Sequence, residues 1–331
     1  GVYPVTQPLR IDTEVTREYV AQINAFQHIE VRAMEPGYID AIFSDEGKPV
    51  EKGQHMFQIM PMLYQAELRK SGAEAEVARI EYSNTRSLQA GNVVSANELA
   101  VAKARLDKAN AERSMAETHL KFTDIRGPFD GIMGRLEVRQ GSLVEEGELL
   151  TTLSNNSQMW VYFNVNEVEY LDYKMEMKDK EPLSVKLRMA NDRLFDQEGK
   201  VETIAADFNN ETGNIAFRAT FPNPDGLLRH GETGKVVMST PLKDALLIPQ
   251  KATFDILDKR FVFVVDDQGV VRSQEIKVAE ELPHLYVVSE GLGEGDKILL
   301  EGLRKVRDGD KIGVELLDSK DVMASLNLPA E

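Results

Sequence analysis

Gly37-Tyr38-Ile39-Asp40-Ala41-Ile42, continued by Gly47-Lys48-Pro49-Val50-Glu51-Lys52-Gly53, returns later as Gly131-Ile132-Met133-Gly134-Arg135-Leu136 and Gly141-Ser142-Leu143-Val144-Glu145-Glu146-Gly147. The offset is a constant 94 residues for Gly37/Gly131, Gly47/Gly141, Val50/Val144 and Gly53/Gly147. Apolar positions keep the same register, with Ile39 over Met133, Ile42 over Leu136, Met56 over Leu150 and Ile59 over Leu153. Each copy alternates apolar and polar residues between glycine-bearing turns, as a half-buried strand pair does. Gly37, Gly47, Gly131 and Gly141 read as turn positions with a positive φ, which is cheap only for glycine. Neither copy is long enough to bury a core alone, so the halves are expected to face each other in one small β-sandwich.

Residues 61–121 separate the copies, and there the period changes from two to helical. The second part carries Leu99, Ala102, Leu106, Ala109, Arg113, Ala116 and Leu120 at three-four spacing; the first carries Tyr64, Leu68, Ser71, Ala75, Ala78 and Tyr82 at the same spacing with smaller residues. Gly91-Asn92 stops one helix, and Ser95, with Glu98 three residues on, caps the next. The expectation is an antiparallel helical hairpin with arms of about 25 residues, each projecting about 38 Å.

After the second half-motif, Trp160 to Val165 reads as a strand and Asn166 as the cap of a short helix through Leu171. Strand-like stretches at 183–189, 195–205 and 214–221, with a turn over 209–214, read as a small β-barrel. Strands recur between 245 and 316, whereas residues after Asp318 lose periodicity and are expected to form a loosely held tail. At 331 residues the chain should hold two to four domains.

The formal charge of −16 opposes nucleic-acid binding, which needs clustered Lys and Arg. The hairpin itself is neutral, with interleaved signs that suit a solvated coiled coil. No apolar run approaches the ~20 residues of a membrane span and no signal-peptide pattern is present. The absence of cysteine rules out disulfide and thiolate chemistry but does not identify a compartment.

A split lipoyl-like motif with a coiled-coil hairpin between its halves resembles the periplasmic adaptors, or membrane fusion proteins, of Gram-negative tripartite resistance-nodulation-division (RND) efflux pumps. Phe221-Pro222-Asn223-Pro224-Asp225-Gly226-Leu227-Leu228 is similar to the end of that family's barrel, and the stretches 291–296 and 302–310 look like its membrane-proximal domain. The resemblance implies a mainly β, elongated multidomain chain with a long helical hairpin. Its parts would be a split lipoyl-like domain (28–62 and 122–154), the hairpin (63–121), a β-barrel (13–27 and 155–240), a membrane-proximal domain (1–12 and 241–318) and a tail (319–331). It further implies a non-enzymatic periplasmic adaptor between an inner-membrane multidrug transporter and an outer-membrane channel, in a ring of six copies. Attachment to the inner membrane would come from a segment preceding Gly1. An ABC-type exporter remains an alternative inner partner, and a copper or silver efflux pump another.

Family members that dock on an outer-membrane channel present an arginine, a leucine four residues on and a serine seven further. Here Leu88 and Ser95 fall on the leucine and serine positions, and Asn84 stands where arginine is expected. Arg86 is the candidate to supply the missing charge from a neighbouring turn. As plain structure, Leu88 would be a knob of the coiled coil and Ser95 an N-cap. The histidines (28, 55, 119, 230, 284) fall in no HxxxH or HxH spacing, and no P-loop, G-x-S-x-G or helix-opening G-x-G-x-x-G occurs. Met175-Glu176-Met177-Lys178 looks superficially like a biotinylation site but lies outside the repeat, so no cofactor is expected. Met56, Met60 and Met62 at the hairpin root are thioether candidates for soft metal, but the repeat register puts Met56 over Leu150 and so points it inward.

Overall fold

The computed structural model describes residues 1–176 and 182–326. The chain is mainly β with one long helical hairpin and forms two units: Tyr19–Val236, and Gly1–Glu18 with Val237–Glu331.

In the larger unit the two half-motifs interlock by exchanging strand partners. Gly37 and Tyr38 pair with Val144 and Leu143, while Pro49 and Val50 pair with Ile132 and Gly131. Shifting either pairing by the repeat offset produces the other. The linking hydrogen bonds obey the same symmetry: Ile39 N–H donates to Ser142 O at 2.8 Å and Met133 N–H to Lys48 O at 3.0 Å, and Gly53 N–H donates to Gly127 O and Gly147 N–H to Ala33 O, both at 2.7 Å. One core results, in which Ile39, Val50, Met56 and Ile59 pack with their equivalents Met133, Val144, Leu150 and Leu153.

Gly47 and Gly141 have φ of 72° and 88°, the turn conformation expected of them. Gly131 departs from that expectation. It is not in the positive-φ region but opens the strand Gly131–Met133 where a Cβ would stand 2.8 Å from the Ser154 carbonyl oxygen. The glycine is required there by close backbone approach, not by a turn.

Helices α1 (Met62–Ala90) and α2 (Ala96–Phe122) form the hairpin, and no residue of either enters the sandwich core. Their seam is built from small side chains, with Ala75, Ala78 and Ala109 buried against one another and Leu106 beside them. Arg113 is not part of the seam. It is exposed and pairs with Glu117 at 3.3 Å, while Glu112 takes the partly covered position. At the root, Tyr64 Oη–H donates to Pro36 O at 2.6 Å, and His119 Nδ1 meets the buried Glu35 carboxylate, so each helix is tied to the loop that precedes the first half-motif. Burial, followed by the Glu35 charge, pushes the Tyr64 hydroxyl above its ordinary pKa.

The long strand Leu149–Asn166 continues from the sandwich into the barrel, antiparallel to Leu9–Arg32 on one side and Asn214–Pro222 on the other. Gly199–Ile204 and Ser184–Met189 follow in antiparallel order. Asn166 Oδ1 accepts from Glu169 N–H at 2.9 Å and opens α3 (Glu167–Glu176), whose Tyr170 and Tyr173 rings pack on Phe217. In the barrel's closing stretch Asn223 is buried and bonds Asn156 O, Leu228 O and Leu228 N–H, so one amide organises the whole proline-rich turn. His28 and His230 stack with ring centroids 3.8 Å apart, and Ala25 N–H donates to His230 Nδ1. Partial desolvation, then the facing imidazole, push the His230 pKa below its ordinary value.

In the smaller unit Val2–Thr6 lies between Lys297–Leu299, antiparallel, and Gly313–Leu317, parallel. Lys259–Val265 joins Val271–Leu282, which pairs with Leu285–Glu290. Val15 packs with Ala245, Leu247, Leu282 and Val287, and Arg17 bonds Glu280 at 3.0 Å, so residues 13–18 belong with this unit and not with the barrel. The tail is likewise not loose throughout. Asp318 caps α4 (Ser319–Ser325), and Val322 is buried among Leu246, Ile248 and Tyr286. Val322 and its neighbour Met323, which packs against the cluster of Val15, Leu247 and Leu282, anchor it from one turn, too short a signal for periodicity to reveal.

Three outcomes follow from this packing. Replacing residues 64–120 by a Gly-Ser turn leaves a folded protein with much reduced helix by circular dichroism, because the sandwich core takes nothing from the hairpin; loss of all structure would refute the modular arrangement. In thermal unfolding, Gly131→Ala destabilises by about 1–3 kcal/mol through its carbonyl clash, whereas Gly72→Ala, inside α1 with open space around its Cβ, stabilises the hairpin by about 1 kcal/mol. A folded-state pKa below the unfolded one means that the unfolded chain binds more protons as pH falls through the imidazole range. Stability from the His28–His230 stack is therefore present at neutral pH and lost on acidification, and His230→Gln flattens that dependence in melts recorded between pH 5 and 7.

Candidate docking site at the hairpin tip

Helix α1 ends in a Schellman arrangement in which Asn92, at φ 51°, takes the left-handed position and Gly91, at φ −87°, does not. Val93 N–H reaches back to Leu88 O at 2.9 Å and Asn92 N–H to Gln89 O at 3.0 Å. The chain then turns into α2, where Ser95 Oγ accepts from Glu98 N–H at 3.2 Å, as its spacing predicts. Both ends at the tip are thus closed by local bonds, and the tip's shape is set within about ten residues of sequence.

On one face of the tip the helices enclose an open groove of about 700 Å³, lined by Glu81, Asn84, Ser95, Glu98, Val101 and Arg105 among others. The groove brings Asn84 and Ser95 together. Leu88 stands one turn from Asn84 toward the tip and is 46% exposed, so it is not a buried knob of the coiled coil. Val93, at 69% exposure, adds apolar surface beside the turn.

Arg86 does not join Asn84. Two residues on a helix are about 200° apart, and Arg86 is exposed outside the groove lining. The cation in the groove is Arg105, from the opposite helix, which reasoning along α1 alone misses. Folding the sequence back about the Asn92 turn would have found it, because antiparallel register sets α2 residues just past 100 opposite Asn84.

Met56 is buried in the sandwich core, while Met60 and Met62 are exposed. Among the described residues no group of three or more His, Cys, Asp or Glu could hold a metal ion. His55 bonds Asp124 at 2.7 Å and His119 bonds Glu35, so each is engaged in holding its own region. The tetrapeptide from Met175 begins on the last turn of α3, and its Met177 and Lys178 lie outside the described residues. No helix among the described residues is long and apolar enough to cross a membrane.

Three domain models of one family match the chain in succession: the barrel-sandwich hybrid domain of RND MFPs over 27–154, their β-barrel domain over 158–241, and their C-terminal permuted SH3 domain over 244–305. The efflux pump periplasmic linker BepD of Brucella suis is 29% identical over 326 residues, covering 90% of this chain and 81% of its own. The multidrug efflux pump subunit AcrA of Escherichia coli K12 is 28% identical, with 94% and 84% covered. Among solved structures, a MacA–MexA chimera carrying the Pseudomonas aeruginosa MexA α-hairpin domain superposes with a TM-score of 0.70 at 21% identity, over 89% of this chain and all of its own, and so shares the fold. The interlocked half-motifs, the inserted hairpin and the two β domains that follow are those of one family, and the chain belongs to the RND membrane fusion proteins.

Proposed function

We propose that this protein is the periplasmic adaptor of a tripartite export pump, linking an inner-membrane RND multidrug transporter to an outer-membrane channel through the hairpin tip. The observation that carries the reading is the tip itself: an exposed Leu88 beside a groove holding Asn84, Ser95 and Arg105, at the end of helices of 29 and 27 residues. At 1.5 Å per residue the longer helix reaches about 43 Å from its root. A large aliphatic side chain left at such a tip gains little from its own coiled coil. Desolvation against a partner is worth about 2 kcal/mol if complete, and Ser95 and Arg105 offer donors around it.

The role needs no bond-making chemistry. Several copies, six in the family's arrangement, surround the pump; the β domains face the transporter in the periplasm, and the hairpin tips face the channel. The hairpin carries movement because its root is tied at two points, Tyr64 to Pro36 and His119 to Glu35, so that α1 and α2 follow the sandwich together. The match to RND domain models favours a proton-driven transporter over an ABC exporter. The buried thioether of Met56 gives a copper or silver cargo no support.

Leu88→Asp should abolish drug resistance and in-cell cross-linking to the channel while leaving the melting temperature within about 2 °C, because a helix tip adds little to global stability. Ser95→Arg has the same effect. Ser95→Asp, which keeps an N-cap worth about 1 kcal/mol, separates capping from docking: lost export with retained stability assigns the serine to the partner. Intact efflux in Leu88→Asp would remove the tip as the docking surface.

A further inference from the structure

The hairpin of the smaller unit, Thr253–Ile256 and Lys259–Val265, closes on a two-residue turn, because Ile256 pairs with Lys259. That leaves Leu257 at φ 57° and 97% exposed, next to a half-exposed Ile256. Two-residue hairpins place glycine, asparagine or aspartate at positive φ; a leucine there is strained, and full exposure returns nothing to the fold. The neighbouring charges are satisfied internally. Arg260 bonds Asp255 at 2.8 and 3.2 Å and lies over the Tyr286 ring, and Lys259 pairs with Glu275 at 3.1 Å. Only Asp258, beside Leu257 in the turn, has no such partner among the described residues. The turn therefore presents one apolar knob and one free carboxylate.

At the other end of the same strand lies its complement. An open pocket of about 380 Å³ is lined by Leu300 and Leu303, with Lys251, Arg304 and Lys305 around it. Glu301 engages Lys251 at 3.7 Å, whereas Arg304 and Lys305 form no ion pair among the described residues. Lys251 precedes the strand Thr253–Ile256, whose rise of about 3.3 Å per residue separates pocket and turn by about 13 Å or more, so a chain cannot seat its own turn.

We propose that Leu257 of one copy enters the Leu300/Leu303 pocket of a second copy, with Asp258 against Arg304 and Lys305. Knob and pocket are different surfaces at opposite ends of one hairpin, so the contact is head-to-tail, the kind that repeats around a ring. It rests on the ring reading above and gives it a contact surface.

Residues 1–331 contain no cysteine, so within them only an introduced thiol can be trapped at the contact. In cells carrying the complete pump, a tagged Asp258→Cys chain and an untagged Arg304→Cys chain are co-expressed. A disulfide requires Cα atoms within about 7 Å, so only apposed surfaces are caught. The expected result is a mixed covalent dimer, no dimer from either variant alone, and a ladder of multimers from the double variant. Self-dimers of Asp258→Cys would mean that turn meets turn and would overturn the proposal. No mixed dimer, with wild-type multimers still caught by an amine-reactive reagent, leaves the ring standing and places its contact elsewhere; no multimers by either route removes the ring as well. Leu257→Asn, suited to positive φ, should raise the melting temperature by about 2 °C while lowering multimer yield in the amine-reactive assay several-fold; a lower melting temperature would show that Leu257 serves the fold and would overturn the argument from strain.

Discussion

The exchange of strand partners between the two half-motifs is the constraint on which the larger unit depends. Val50 lies against Gly131 and Val144 against Gly37, so each half completes the other's sheet and both close over one core. Within a half only Ile39–Ile42 with Phe57–Ile59 and Ile132–Met133 with Leu153–Ser154 pair; the strands that join the halves pair non-locally, across the intervening hairpin sequence. That arrangement tolerates a long insertion, since loop-closure cost grows only slowly with length, and the insertion leaves and returns at adjacent points: Ile59 N–H bonds Thr123 O at 2.8 Å. The hairpin can therefore be long without weakening its base.

The hairpin is stabilised differently. Its seam of alanine and serine lets the helices approach closely but buries little apolar area, and its i,i+3 and i,i+4 ion pairs, such as Arg79 with Glu76 and Arg113 with Glu117, are exposed and individually weak. Helix propensity, the closed tip and the two root contacts carry the rest. Such an element holds its form through local interactions and presents its end surface without drawing on a distant core, as a docking arm requires.

Polar anchors recur where segments of the chain meet. Asn223 organises the closing turn of the barrel, Glu35 and Pro36 receive the two helices, and Asp318 starts the helix that puts Val322 into the core of the smaller unit. Each satisfies backbone or side-chain groups that would otherwise be left unpaired at a junction. The Leu257 turn is the opposite case. There an apolar side chain is held in a costly conformation with nothing around it, and its counterpart is sought outside the copy that bears it.

What the amino-acid order determined by itself is whatever short-range periodicity and fixed spacing encode. The 94-residue repeat announced the paired halves, the three-four spacing announced the helices, and Ser95 with Glu98 announced the cap, because each rests on bonds or faces set within a few residues. Tertiary structure decided what depends on which distant atoms approach. Gly131 is glycine because Ser154 O stands against it, Arg105 enters the tip groove from the opposite helix, Val15 draws residues 13–18 to the C-terminal unit, and Val322 docks a helix whose seven residues carry no readable period. In each of these the deciding neighbour is far along the chain, and spacing says nothing about it until the chain has folded.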